Sequence, residues 1–302
     1  MITVNRTRDY HLHYPIDLMT EFTVCESLSH VRSPYMAALE RPIPYGTLVG
    51  NALRNYGILV PGCSLCEIGG GYGTLMHGFL EAYASVVRRV CMVDLSPFLL
   101  KKQRTVLERW AHLVTFIHAD AMEMVPALSQ VDCFILNEMV GDLDTYRDCD
   151  VGNLPQEVSE LIDRYSLAIP SHGTFHFNYG ALRLLEGLCE RGIPAFIVEH
   201  SSDPIIPDDM TYLHRDLVAD GFPREIQLRG HSEFTIRFAH LVKVAEYWGR
   251  KVVTGSLIDL VGLKRTPDMR FIFMARACAT ERHEVIFELL DHIREYRWLI
   301  AM

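Results

Sequence analysis

Cys66-Glu67-Ile68-Gly69-Gly70-Gly71-Tyr72-Gly73-Thr74 decides the fold of this chain. An apolar run ends in an acid, a glycine-dense turn follows, and a helical pattern begins. Glycine has no Cβ to hold a ligand away from the backbone, so Gly69, Gly71 and Gly73 allow close approach and positive φ in the turn. Working outward, Ser64 to Ile68 reads as a buried strand and Thr74 to Val87 as a helix. Strand, glycine turn and helix together are the context in which such a loop cradles a nucleotide-like ligand.

The spacing bears on which nucleotide. A dinucleotide loop, G-x-G-x-x-G, places its third glycine where this chain has Thr74. The glycines fall instead at 69, 71 and 73 behind Glu67, a form that resembles motif I of the class I S-adenosylmethionine (SAM) methyltransferases. A carboxylate beside the turn suits a sulfonium with an ammonium group and repels a diphosphate. SAM is the expected cofactor, with Glu67, Gly69, Gly71 and Gly73 as its cradle. Two other classes remain open: an NAD(P)-dependent oxidoreductase on a Rossmann fold, and a non-catalytic SAM-binding assembly factor.

Further strands end in polar residues at the expected places. Val86 to Val93 is a strand ending at Asp94-Leu95, about 20 residues beyond Gly73, where a carboxylate accepts from both ribose hydroxyls. Asp94 could alternatively cap the helix that starts at Ser96 or Pro97, a role Ser96 also fills. Leu113 to His118 leads to Asp120 and Ala121, which face the adenine in this reading. Val131 to Leu136 leads to Asn137 and Glu138. In an open parallel sheet, ligands lie beyond the carboxyl ends of the strands, so these four ends converge on one crevice.

Glu67 to Thr74, Asp94-Leu95-Ser96-Pro97 with Gln103 and Leu107 in the next helix, and Asn137-Glu138 together resemble the MidA family of SAM-dependent methyltransferases. His231-Ser232-Glu233-Phe234 is similar to that family's H-x-D-F segment, and Gly255 to Leu263 to its late F-L-x-x-L-G-I helix. The resemblance runs from about residue 62 to 278. It implies a class I methyltransferase fold: an α/β, Rossmann-like, mostly parallel seven-stranded sheet with helices on both faces, plus an N-terminal extension and helical insertions. It also implies protein arginine as acceptor. The family's G-D-F-x-T-A-P-E stretch is absent, and its place holds Arg41-Pro42-Ile43-Pro44-Tyr45-Gly46-Thr47-Leu48. That departure leaves a peptide side chain or a small metabolite equally open as acceptor.

Composition narrows the partners. The chain has 302 residues, 49% of them apolar, enough for an α/β core with elaborations. A net charge of −9 without a basic cluster argues against nucleic acid. No apolar stretch reaches signal or membrane-span length, so no membrane partner and a cytoplasmic location are expected. The eight cysteines lack paired zinc spacing and read as free thiols. His11-x-His13 and the pair His172 and His176 lack an accompanying carboxylate pattern, so no metal is expected.

Three regions follow: an N-terminal extension over 1–46, a SAM-binding domain over 47–278, and a C-terminal helix over 279–302. Thr47 to Leu59 is read as a helix. Substrate-wall insertions are expected at about 143–194 and 201–231, the first holding a helix near Pro155 to Leu167, a strand Thr174 to Tyr179 and a helix Ala181 to Arg191. A fifth strand, Ala195 to Glu199, ends at Glu199-His200, and Ser201 to Asp209 reads as a mobile loop. Ser232 to Tyr247 has helical spacing, and Lys251 to Thr254 with Arg270 to Arg276 should complete the sheet. The stripe Val285, Leu289, Leu290, Ile293 and Tyr296 packs on its own domain or forms a seam between two copies. Methyl transfer needs in-line positioning and acceptors that orient the nucleophile. Glu138 is the first candidate for that task, followed by Asp142, Glu199 and His200.

Overall fold

The computed structural model describes residues 3–5, 7–14, 22–128 and 130–302. Part of the expected N-terminal extension, 15–21, lies outside them. Seven strands form the main sheet: β1 (Cys63–Ile68), β2 (Val87–Asp94), β3 (Val114–His118), β4 (Cys133–Asn137), β5 (Ala195–His200), β6 (Val252–Ser256) and β7 (Tyr296–Ala301). Their order is β6-β7-β5-β4-β1-β2-β3. β7 runs antiparallel to both of its neighbours, while the β5-β4-β1-β2-β3 pairings are all parallel. The expected mostly parallel seven-stranded α/β sheet is therefore present.

Burial explains which strands are central. Every residue of β1, β4 and β7 is buried, as sequences apolar on both faces require when helices cover both sides. The edge strands β3 and β6 keep several half-exposed positions. One face is covered by the helices Tyr45–Asn55, Thr74–Tyr83, Leu257–Val261 and Glu281–Ile293. The other carries Gln156–Tyr165, Tyr179–Glu190 and Phe238–Tyr247. Gly46 sets the fit of the first two helices, because a Cβ there would lie 1.8 Å from the Leu75 carbonyl oxygen. Even alanine at this position has to push the two helices apart.

Four expectations are corrected. The C-terminal segment is not one helix: Glu281–Ile293 is helical, and the chain then turns into β7, inserted between β5 and β6. The segment 270–276 is not a strand, since Thr266 caps a helix Pro267–Ala275 by accepting from the Met269 N–H. The helix expected from Ser232 begins at Phe238, and Ser232–Phe234 pairs instead with Glu225–Gln227 as a small antiparallel hairpin. The segment read as a mobile loop is pinned. Asp203 accepts from the Phe238 and Ala239 N–H groups, and its own carbonyl accepts from Arg297 at 2.7 Å.

A second, three-stranded sheet places Thr145–Asp150 between Thr3–Asn5 and Thr174–Phe177. Through this sheet the N-terminal segment is tied to the 143–194 insertion, and the helix Thr7–His13 is brought to the mouth of the crevice.

Candidate active site

The carboxyl ends of β1, β2, β4 and β5 open into one cavity of about 370 Å³, closed over by residues of the N-terminal segment and of the hairpin. The volume lies within the ordinary range for a small-molecule site. At the nucleotide end, Gly69, Gly71 and Gly73 all have positive φ, as expected of a turn that only glycine makes without strain. At Gly69 a Cβ would also come within 2.7 Å of the Met139 Cβ. Gly69 and Gly71 line the cavity; Gly73 does not, and serves as the left-handed N-cap of the helix Thr74–Tyr83.

Asp94 is buried at the end of β2 and lines the same cavity. One carboxylate oxygen accepts from the Ser96 N–H at 2.9 Å and the other from Gln103 Nε2 at 2.8 Å. Gln103 Nε2 also donates to the Gly71 carbonyl at 3.0 Å, so one side chain ties the acid to the glycine turn. The cap of the following helix belongs to Ser96, whose hydroxyl accepts from Leu99 N–H. Burial raises the Asp94 pKa to about 6, partly offset by the Ser96 and Gln103 hydrogen bonds. Leu95, Ala121 and Met122 supply apolar wall beside it.

Glu67 sits behind the turn and does not line the cavity. It is fully buried, its Oε2 has no hydrogen-bond partner, and burial followed by repulsion from Asp94 raises its pKa to about 8. Asp120 lines the cavity, but both its oxygens are engaged: one accepts from Met122 N–H at 2.8 Å, and the other pairs with Arg8 at 2.8 Å. Asn137 is likewise committed, accepting from the buried Tyr45 hydroxyl at 2.8 Å and donating to Glu138 at 3.0 Å.

Glu138 has φ of 50°, an uncommon conformation for a non-glycine residue. Its oxygens accept from Val24 N–H at 2.9 Å, Tyr296 hydroxyl at 2.9 Å, Cys25 Sγ at 3.1 Å and Asn137 Nδ2. It lines the cavity, yet this crowd of donors makes it the anchor of the N-terminal segment against the sheet.

The other three expected catalytic candidates also line the cavity. Glu199 accepts from Gly141 N–H at 3.1 Å and from His200 N–H at 2.9 Å, and burial, followed by repulsion from Glu233, holds its carboxyl well above the usual range. His200 lies 3.9 Å, centroid to centroid, from the Tyr296 ring, and burial depresses its pKa to about 3, so its imidazole is neutral. Asp142 lies 3.2 Å from His11. Sequence reasoning missed Glu233, His11 and Tyr296, which complete this wall. The signals were present: Glu233 sits in the quoted His231 to Phe234 stretch, and His11 in the noted His-x-His.

Residues 48–145 match a family model whose description is "Putative S-adenosyl-L-methionine-dependent methyltransferase". The matched stretch is about a third of the chain, and over it the sequence is similar to that family. Two solved structures from Burkholderia thailandensis, both of one superfamily, share the fold. The first, a native form, is 15% identical with a TM-score of 0.55, covering 98% of this chain and 86% of the other. The second, bound to S-adenosyl-homocysteine, is 16% identical with a TM-score of 0.53, covering 90% and 78%. No curated protein matches the sequence. The cofactor of the matched family is SAM. The chain's own features fit that cofactor: a turn stripped of Cβ atoms and a buried acid at the next strand end share one enclosed cavity. No helix among the described residues is long and apolar enough to cross a membrane.

Proposed function

We propose that the enzyme methylates a nitrogen or oxygen nucleophile on a small acceptor, or on a single side chain, that enters the cavity lined by the glycine turn. The observation that carries this reading is the lining of one cavity by two kinds of group. Gly69, Gly71 and Asp94 suit the nucleoside, and Asp142, Glu199, His200 and Glu233 offer polar and titratable groups to an acceptor. When bound, SAM supplies a methyl already activated on a positively charged sulfur.

The chain's task is to orient and to exclude water. Asp94 is suited to accept from the ribose hydroxyls, with Gln103 fixing its rotamer, while Leu95 and Ala121 flank the base. His200, neutral and acceptor-capable, orients an N–H or O–H of the acceptor. Glu199, its carboxyl held protonated well above the usual range, keeps that wall polar without a fixed charge, which suits a hydrogen-bonding acceptor. The buried hydroxyls of Tyr45 and Tyr296 donate to Asn137 and Glu138 and hold both side chains at the strand end.

The test is a tritiated-methyl transfer assay with separate pools of amines, hydroxylated metabolites and arginine- or lysine-bearing peptides. Incorporation into at least one pool, reduced at least tenfold in His200→Ala, is expected. Incorporation unaffected by that substitution would overturn the assignment of the acceptor groups.

A further inference from the structure

Three segments far apart in sequence deliver metal-ligating groups to one spot on the cavity wall. His11 comes from the last turn of the helix Thr7–His13, Asp142 from the turn Val140–Asp142 after β4, and His231 from the loop between the hairpin strands. One ligand atom from each lies within 4.8 Å of the other two. His11 Nε2 and Asp142 Oδ1 are 3.2 Å apart, close to the ~3.3 Å between two ligands of a tetrahedral site with bonds near 2.0–2.1 Å.

Hydrogen bonding leaves this cluster incomplete. His11 Nε2 and Asp142 Oδ1 are buried and have only each other, at 3.2 Å, while His231 Nδ1 is buried with no hydrogen-bond partner. The His231 side chain is only 5% exposed. Buried polar atoms left in this way are costly unless a cation or proton joins them. An ion pair of His11 with Asp142 would serve two of them and leave His231 Nδ1 alone.

The surroundings are those of a ligand sphere. Glu233 stands 3.7 Å from His231 Nε2, an electrostatic neighbour of the ring rather than a hydrogen-bond partner. Tyr10 stacks on the His231 ring at 4.6 Å and 16°, fixing its plane. All three residues line the cavity, so an ion held by them is within reach of whatever the cavity binds.

We propose that His11, Asp142 and His231 bind one divalent first-row transition metal ion. Two imidazoles and one carboxylate suit such an ion; magnesium and calcium prefer all-oxygen shells. An ion held here presents an open position to a lone pair on the acceptor and staples the N-terminal helix across the cavity. The site goes beyond the proposed methyl transfer, and its test does not depend on activity.

Full-length protein stripped with a chelator is titrated with Zn²⁺ alone, with bound metal read by equilibrium dialysis and elemental analysis. One Zn²⁺ per chain is expected, with affinity reduced at least 100-fold in His231→Ala and in His11→Gln. S-adenosylhomocysteine binding, measured on the same samples by calorimetry, reports folding. A variant that keeps the nucleoside and loses zinc supports the site. Should His231→Ala fail to fold, His11→Gln, on the short helix Thr7–His13, decides the matter. Substoichiometric zinc in the wild type, or zinc retained by a folded variant, overturns the proposal. Wild-type protein that binds zinc but no nucleoside would count against the cofactor reading and leave the metal site standing.

Discussion

Replacing Asp94 by asparagine separates the fold from the cofactor. In the folded chain Asp94 holds its proton up to about pH 6, against an ordinary value of 3.8. Between those values the folded state binds more protons than the unfolded one, so stability falls as pH rises. Over about two pH units at ~1.36 kcal/mol each, the buried charge costs about 3 kcal/mol by neutral pH. Asparagine removes that cost. It also sets an N–H₂ against Gln103 Nε2, which already donates to Gly71, and loses a buried hydrogen bond worth about 1–3 kcal/mol. The two effects nearly cancel, and the variant should unfold within about 2 kcal/mol of the wild type at pH 7.5. Binding has no such compensation. Losing a charge-assisted bond to a ribose hydroxyl, about 1.5–3 kcal/mol, weakens S-adenosylhomocysteine by roughly 10- to 150-fold. Wild-type affinity should fall about tenfold per pH unit below pH 6, while the variant's stays flat. Calorimetry and chemical denaturation measure both quantities. A folded Asp94→Asn protein that binds within twofold of wild type would refute the reasoning.

Glu67→Gln should make stability less dependent on pH: the folded carboxyl keeps its proton to about 8 rather than 4.5, so the wild type loses about 1.36 kcal/mol per unit across that window and the variant does not. Denaturation curves at pH 5 and 9 that shift in parallel for both proteins would exclude this. Glu138→Ala strands donors from Val24, Cys25, Asn137 and Tyr296, with an expected loss of about 3 kcal/mol or more and faster hydrogen exchange over 22–28. Unchanged exchange there would show that the N-terminal segment is anchored elsewhere. Tyr45→Phe removes the donor to Asn137 and should cost about 1–2 kcal/mol, read as a lower midpoint at constant denaturant slope. Arg8→Ala, whose partner Asp120 it meets with 47% of its side chain exposed, should change stability by less than about 1 kcal/mol.

What the sequence displayed clearly was the part of the molecule with local signals. The glycine turn, the buried runs of β1, β2, β4 and β5, and Asp94 all announce themselves through short-range pattern. The C-terminal strand did not, because Tyr296-Arg297-Trp298-Leu299 follows the helix Glu281–Ile293 with no glycine or proline to break it, and Tyr296 continues the helical stripe. At 270–276 the aromatic, β-prone side chains outweighed Thr266-Pro267, a helix start that was legible. Glu138 looked like a free base at a strand end, and only the tertiary fold brings Val24 and Tyr296 to it. The grouping of His11, Asp142, His231 and Glu233 was least legible, since these residues line one cavity only after the N-terminal segment folds back across the sheet edge.

Isothermal titration of the full-length chain with SAM, S-adenosylhomocysteine and NAD addresses the central claim most directly. The account predicts saturable heat at one equivalent for the two sulfur nucleosides, abolished or strongly weakened in Asp94→Asn, and none for NAD. Silence with SAM, or one-to-one binding of NAD at the glycine turn, would contradict it.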